Sequence, residues 1–322
     1  LAPACLMLLL AFAFPLLNIV PEAFGGDAAG RFLHIFGTPV YRKIIWITVR
    51  ISLEATAITL LVSFPLAWLL SRATGVKALL LGLLVLVPFL TNVLVRTFAW
   101  VAILGRQGLV NAALLDLGLI SRPVSLLFSE QAVLLALVHS SIPMMVFALV
   151  SVLRRIDGRI LLAALSLGAN PLRAWLGMVV PLAIRGIQSG VIIIFLFTMA
   201  SFIAPAFLGS QRQQMLAQVI QWQIETGGDW ALAAALGITL AAVATVIVIV
   251  LTMVARSFSR WQRPASLPSA VPSPMQAGPV DKSLLRRPVP LPKVRFLVPA
   301  IWRIALRLAE PAYLTVISIF IL

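Results

Sequence analysis

Ala231–Val254 reads ALAAALGITLAAVATVIVIVLTMV, 24 residues with neither a charged side chain nor a proline. As a helix rising 1.5 Å per residue this stretch is about 36 Å long, enough to cross a hydrocarbon core of roughly 30 Å. Its apolar residues run continuously instead of alternating with period two, which favours a helix over a barrel strand. Five further runs of this kind lie upstream: Leu1–Val20, about Ile44–Leu70, Ala78–Leu104, Gln131–Leu153 and Ile187–Leu208. Leu1–Val20 is too long for a signal-peptide core and no small-residue cleavage site follows it, so it reads as a span. Composition agrees. Of the 322 residues 61% are hydrophobic and 11% charged, with a mean hydropathy of +1.07. A soluble domain is about a quarter charged. The sequence therefore predicts an all-α integral membrane protein with a six-span unit over residues 1–263.

The net charge of +15 does not point to nucleic acid, because the basic residues lie between and after the apolar runs. Arg72 and Lys77 follow the second span. Arg154, Arg155, Arg159, Arg173 and Arg185 follow the fourth, and Arg256, Arg260 and Arg263 follow the sixth. Arg106 and Arg122 after the third span are offset by Asp116 and Glu130, and Arg212 after the fifth by Glu225 and Asp229. Basic loops stay on the cytoplasmic side, so both ends of the six-span unit are expected in the cytoplasm. Cys5 is the single cysteine, and His34 and His139 are far apart in sequence. No disulfide framework or cysteine metal cluster forms within one chain, and a haem-carrying subunit is disfavoured.

Beyond Arg263 the texture changes. Residues 264–292 are rich in Pro and Ser with no helical period, as in an extended linker. Residues 293–322 begin basic and amphipathic and end in an apolar run, Ala312–Leu322. They read as the start of a second membrane unit, or as a tail helix lying on the membrane surface. The chain opens on Leu1 and stops inside that run, so the natural protein is expected to be longer.

The segment between the fourth and fifth spans, Arg154–Pro181, reads RRIDGRILLAALSLGANPLRAWLGMVVP. A helix is predicted over Ile160–Leu167, Gly168 can stop it, and Pro171 can begin a second short one. A mere connection needs only a few residues. A long, structured, moderately apolar loop calls for a partner protein. Its Ala163, Ala164, Gly168, Met178, Val180 and Pro181 resemble the "EAA" loop of permeases in ATP-binding-cassette importers, with Leu162 where that family commonly has Glu. Pro88–Asn111, PFLTNVLVRTFAWVAILGRQGLVN, is similar to the third-span signature of the spermidine/putrescine-type permeases, and Phe64–Trp68, FPLAW, to the end of their second span.

The resemblance covers residues 1–263. It implies a type I importer fold, a second permease subunit (separate or fused), an ATPase dimer and an extracytoplasmic substrate-binding protein. It implies that Leu162, Ala163, Ala164, Gly168, Ala169, Asn170, Pro171, Met178, Val180 and Pro181 form the element that docks on the ATPase. The chain has no Gly-rich phosphate loop ending in Lys-Ser or Lys-Thr, so no cofactor is expected on it; ATP and Mg belong to the partner ATPase. In the polyamine permeases an acidic residue often precedes the Phe matching Phe202; here that residue is Ser201.

Charged and polar groups at membrane depth usually face protein or water. Arg50, Glu54, Asn92, Arg96, His139, Ser140, Ser201 and Pro205 are therefore candidates for a translocation path. Two other readings stand beside this one. Arg50 and Glu54, at i and i+4, can pair with each other, and Arg96 can snorkel to an interface. Pro205 is expected to break the fifth span. Trp46, Trp68, Trp100, Trp222 and Trp230 are expected as interface anchors. The solute is expected to be a small polar compound such as a polyamine. A membrane-embedded enzyme or redox subunit would need paired carboxylates or a His pair, which the spans lack, and a stand-alone channel leaves the structured loop unexplained.

Overall fold

The computed structural model describes Met7, Ala11, Phe14 and residues 19–261. The predicted first span thus lies almost wholly outside the described residues, as do the linker and the segment 293–322. The described residues form helices and no strands. In chain order they are α1 (Ala28–Gly37), α2 (Pro39–Arg72), α3 (Gly75–Leu90), α4 (Val93–Leu104), α5 (Leu109–Asp116), α6 (Glu130–Leu153), α7 (Gly158–Ser166), α8 (Pro171–Ala174), α9 (Val180–Met199), α10 (Ile203–Leu208), α11 (Leu216–Trp222) and α12 (Trp230–Trp261). Five stretches are long and apolar enough to cross a membrane: Pro39–Arg72, Val93–Asp116, Glu130–Leu153, Trp175–Met199 and Trp230–Ser257. The described residues from 19 onward divide into two compact units, 19–155 with 185–253, and 156–184 with 254–261.

In the first unit α6 is the central helix. About two thirds of its most apolar window is buried (67%), against 11% for α12, whose Val246, Val250 and Met253 point outward. α2 packs along α6 through a stripe of small residues, Thr48, Ser52, Ala55, Thr56, Thr59 and Ser63, all buried. The hydroxyls of Thr48, Thr56 and Thr59 donate to the carbonyls of Ile44, Ser52 and Ala55 at 2.7–2.8 Å, so they present little more than methyl groups to α6. Small faces of this kind let membrane helices approach closely. On the other side of α6, Gly186 and Gly190 of α9 leave room for its side chains. A Cβ at Gly186 would lie 2.8 Å from Val152 Cγ2, and one at Gly190 2.6 Å from Met145 Sδ. The amphipathic α1 and the short α11 close one end of the unit. Ile35, Ile44, Leu216, Val219, Ala235 and Leu236 share a buried cluster there.

Three predicted spans differ in extent. The second begins at Pro39, because proline is well placed in a first turn, and its 34 residues run about 51 Å, well beyond a bilayer core. The third is two helices, α3 and α4, separated at Thr91–Asn92. The fifth begins at Val180, ends at Met199, and is followed by the separate α10. Its break falls at 200–202, ahead of Pro205. Pro205 is instead the third residue of α10, where the missing N–H has no helical partner to lose, so it does not break the span.

Candidate functional site

The second unit carries the loop singled out from the sequence. The Asp157 side chain accepts from the Arg159 N–H at 2.9 Å and starts α7. The helix ends as a full Schellman motif. Gly168 N–H donates to Leu165 O at 3.0 Å and Ala169 N–H to Ala164 O at 3.1 Å. This closure requires a left-handed residue, and Gly168 has φ +82°. Pro171 opens α8, with Ala174 N–H returning to Asn170 O at 2.8 Å. The chain then widens into one π-helical turn, Trp175–Val179, before α9 begins at Val180 with Pro181 in its first turn.

The two alanines differ. Ala163 is exposed, whereas Ala164 is 5% exposed. Leu167, a residue not singled out from sequence, is 88% exposed beside Gly168. In the π turn the buried residue is Val179, while Met178 is exposed and Val180 and Pro181 are half-buried.

The polar candidates of the first unit separate into two groups. Arg50 does lie near Glu54, 3.9 Å away, but its closer partner is Glu130 at the start of α6, at 2.5 Å. Sequence spacing showed only the local pair; the partner 80 positions away depends on α2 packing against α6. The second group surrounds the break between α3 and α4. Asn92 caps α4, accepting from Leu94 N–H at 2.8 Å. Arg96 does not snorkel. It is 7% exposed, and its Nη1 donates to Pro88 O at 2.8 Å, back across the break. Trp100 is likewise buried, edge-on to His139 at 5.6 Å between ring centroids, so it is not an interface anchor. Trp46, Trp222 and Trp230 are exposed. Ser140 and Ser201 are half-buried, and Ser201 lies in the second break, between α9 and α10. The helices beside the two breaks pack together, with Phe98 of α4 and Phe207 of α10 5.1 Å apart.

Two structural residues carry no obvious signal in the sequence. Thr48 Oγ1 accepts from Leu216 N–H at 2.8 Å, capping α11 from α2. Asn111 is fully buried. Its amide donates to Gly105 O and Val124 O, both at 3.0 Å, and accepts from Val124 N–H at 2.9 Å. Gly108 makes the turn before it, where a Cβ would lie 2.4 Å from the carbonyl oxygens of Ala102 and Ile103. These residues explain why the Gly105-to-Asn111 part of the third-span signature has its form.

The chain is 32% identical over 212 residues to the spermidine/putrescine transport system permease protein PotB of Haemophilus influenzae, covering 66% of this chain and 74% of that protein. It belongs to this family of permeases. The permease is 33% identical over 202 residues to PotB of Escherichia coli, covering 63% of this chain and 74% of that one. It is 28% identical over 220 residues, 68% of this chain and 81% of the other, to the molybdenum transport system permease protein ModB of Mycobacterium bovis. No protein-family model matches it. Among solved structures the permease fold is shared with a chain of the bacterial alginate ABC transporter in complex with its alginate-bound periplasmic protein. That match has a TM-score of 0.65 and 18% identity, and covers 80% of this chain and 93% of the other. The permease is a multi-pass inner-membrane subunit of an ABC importer, a transporter component and not an enzyme.

Proposed function

We propose that this permease forms part of the translocation path for a small polar solute, a polyamine or a related compound, and couples to an ATPase dimer through residues 156–184. In this reading ATP and Mg are bound by the ATPase. A second permease subunit completes the path, an extracytoplasmic binding protein delivers the solute, and both ends of the six-span unit face the cytoplasm. The observation that carries the reading is the loop itself. Two short helices joined through the Schellman closure at Gly168 form a rigid element with an exposed Ala163 and Leu167. An exposed leucine beside basic residues fits a protein groove with an apolar floor and an acidic rim. The spermidine/putrescine names of the relatives support the solute class. Closure of the ATPase would move the loop and rock the spans, giving alternating access.

The test places a cysteine at Ala163 in a Cys5→Ser background, since Ala164 is buried, and pairs it with single cysteines along the groove of the co-expressed ATPase. A crosslink whose yield changes with ATP is the expected result. No crosslink at any groove position in an assembled complex would refute the coupling assignment.

A further inference from the structure

α12 fixes the depth of the elements packed on it. Residues 230–255 of this helix number 26 and carry no charge, with Asp229 before them and Arg256 after. A hydrocarbon core of roughly 30 Å takes about 20 residues of helix. Wherever the core lies within this stretch, its boundary on the Asp229 side therefore falls between residues 230 and 236. The cluster that α1 joins sits at that level. Ile35 of α1 is buried in it together with Ala235 and Leu236, and Leu232 packs against it. Tryptophans mark the same level independently. Trp46, Trp222 and Trp230 are all exposed, and each stands within two residues of a side chain packed on the cluster, namely Ile45, Ile220 and Leu232. Exposed tryptophans collect where hydrocarbon meets headgroups.

At this depth α1 turns apolar side chains outward. Leu33 and Phe36, three apart and so neighbours on the helix surface, are 73% and 53% exposed. Val40, in the first turn of α2, is exposed as well, and further along α2 so are Leu53 and Leu61, on a span that hydrocarbon surrounds. Arg42 and Lys43 follow Val40. Both are exposed, and neither pairs with a described carboxylate. Arg31 has another task, donating to Ala23 O and Gly25 O and so holding the entry to α1. Leucine and phenylalanine beside basic residues at headgroup level are the composition of a helix seated in a membrane surface. A protein partner fits less well, since lysine is depleted at the centre of protein interfaces.

We propose that α1 is an interfacial helix. Leu33 and Phe36 insert among acyl chains at the membrane boundary, and Arg42 and Lys43 bind the phosphates of anionic lipid headgroups. Through Ile35 the same helix holds α2, α11 and α12, so the lipid surface sets the level at which these three are joined.

The test uses the complete complex in proteoliposomes. Leu33→Cys and Phe36→Cys, each in a Cys5→Ser background with the other subunits free of cysteine, carry a nitroxide label. Both positions are exposed, so the label is compatible with the fold. Collision with oxygen is compared with collision with a water-soluble nickel chelate. The oxygen-to-nickel ratio at both positions is expected to lie at least threefold above that of a label at the exposed Arg212, and below that of a label at Val246 within the charge-free stretch. A ratio equal to that at Arg212 places α1 in water and overturns the proposal. Shielding from both agents overturns it as well, because protein then covers the face. The headgroup contact is read from the gain in thermal midpoint when phosphatidylglycerol replaces phosphatidylcholine. Arg42→Gln with Lys43→Gln should remove at least half of that gain, and Arg212→Gln should keep it. No gain in the wild type, or an undiminished gain in the double variant, overturns that contact.

Discussion

Single residues set the shape of the loop proposed to meet the ATPase. Gly168 sits at φ +82° with open space where a side-chain carbon would stand, so a substitution there is opposed by backbone conformation and not by a clash. Gly168→Ala is expected to cost about 1–2 kcal/mol and to uncouple ATP hydrolysis from uptake, while Gly168→Asn, which tolerates the left-handed region, should be milder. Both are read from uptake per ATP hydrolysed in proteoliposomes. Thr48 supports the other unit. Thr48→Val leaves the Leu216 N–H without its acceptor and should cost about 1–3 kcal/mol, whereas Thr48→Ser should be close to neutral; thermal unfolding in detergent measures both. Gly168 was legible in the sequence because a glycine after an apolar helical period has one common meaning. Thr48 was not, since a threonine inside an apolar run looks like any other until the chain brings Leu216 back to it.

At the scale of elements, close helix contacts decide what can change. Gly186 and Gly190 both face α6, but they meet different neighbours. Gly186 meets the branched Val152, which cannot retreat, and Gly190 meets the flexible end of Met145. Gly186→Ala is therefore expected to lower stability by about 1–3 kcal/mol and Gly190→Ala by less, a ranking that chemical denaturation in detergent would test. Element boundaries were the least legible part of the fold. Hydropathy runs unbroken through Thr91–Asn92, and the signals were indirect: Pro88 three residues before and an asparagine suited to cap α4. Pro205 looked like the breaker of the fifth span, yet the chain breaks at 200–202 and uses the proline inside the next first turn. Hydropathy locates lipid; it does not mark where a helix inside lipid stops and restarts.

Across the whole first unit, Arg50 joins α2 to α6 through Glu130 while Glu54 stands beside it. Arg50→Glu would bring three carboxylates together and should lower stability by about 1 kcal/mol, and adding Glu130→Arg should recover most of it; thermal unfolding of the single and double variants gives the comparison. The all-helical membrane class was legible from composition, whereas this pairing needed the tertiary fold. The exposed break at Thr91–Asn92 also bears on biogenesis. In a copy without its partners, Thr91 and Asn92 stay uncovered. On the importer reading, an unassembled copy is expected to be a better substrate for membrane proteases than an assembled one. Pulse–chase labelling should find the lone chain short-lived and the co-expressed chain long-lived, with the scarcer partner setting how many transporters a cell keeps.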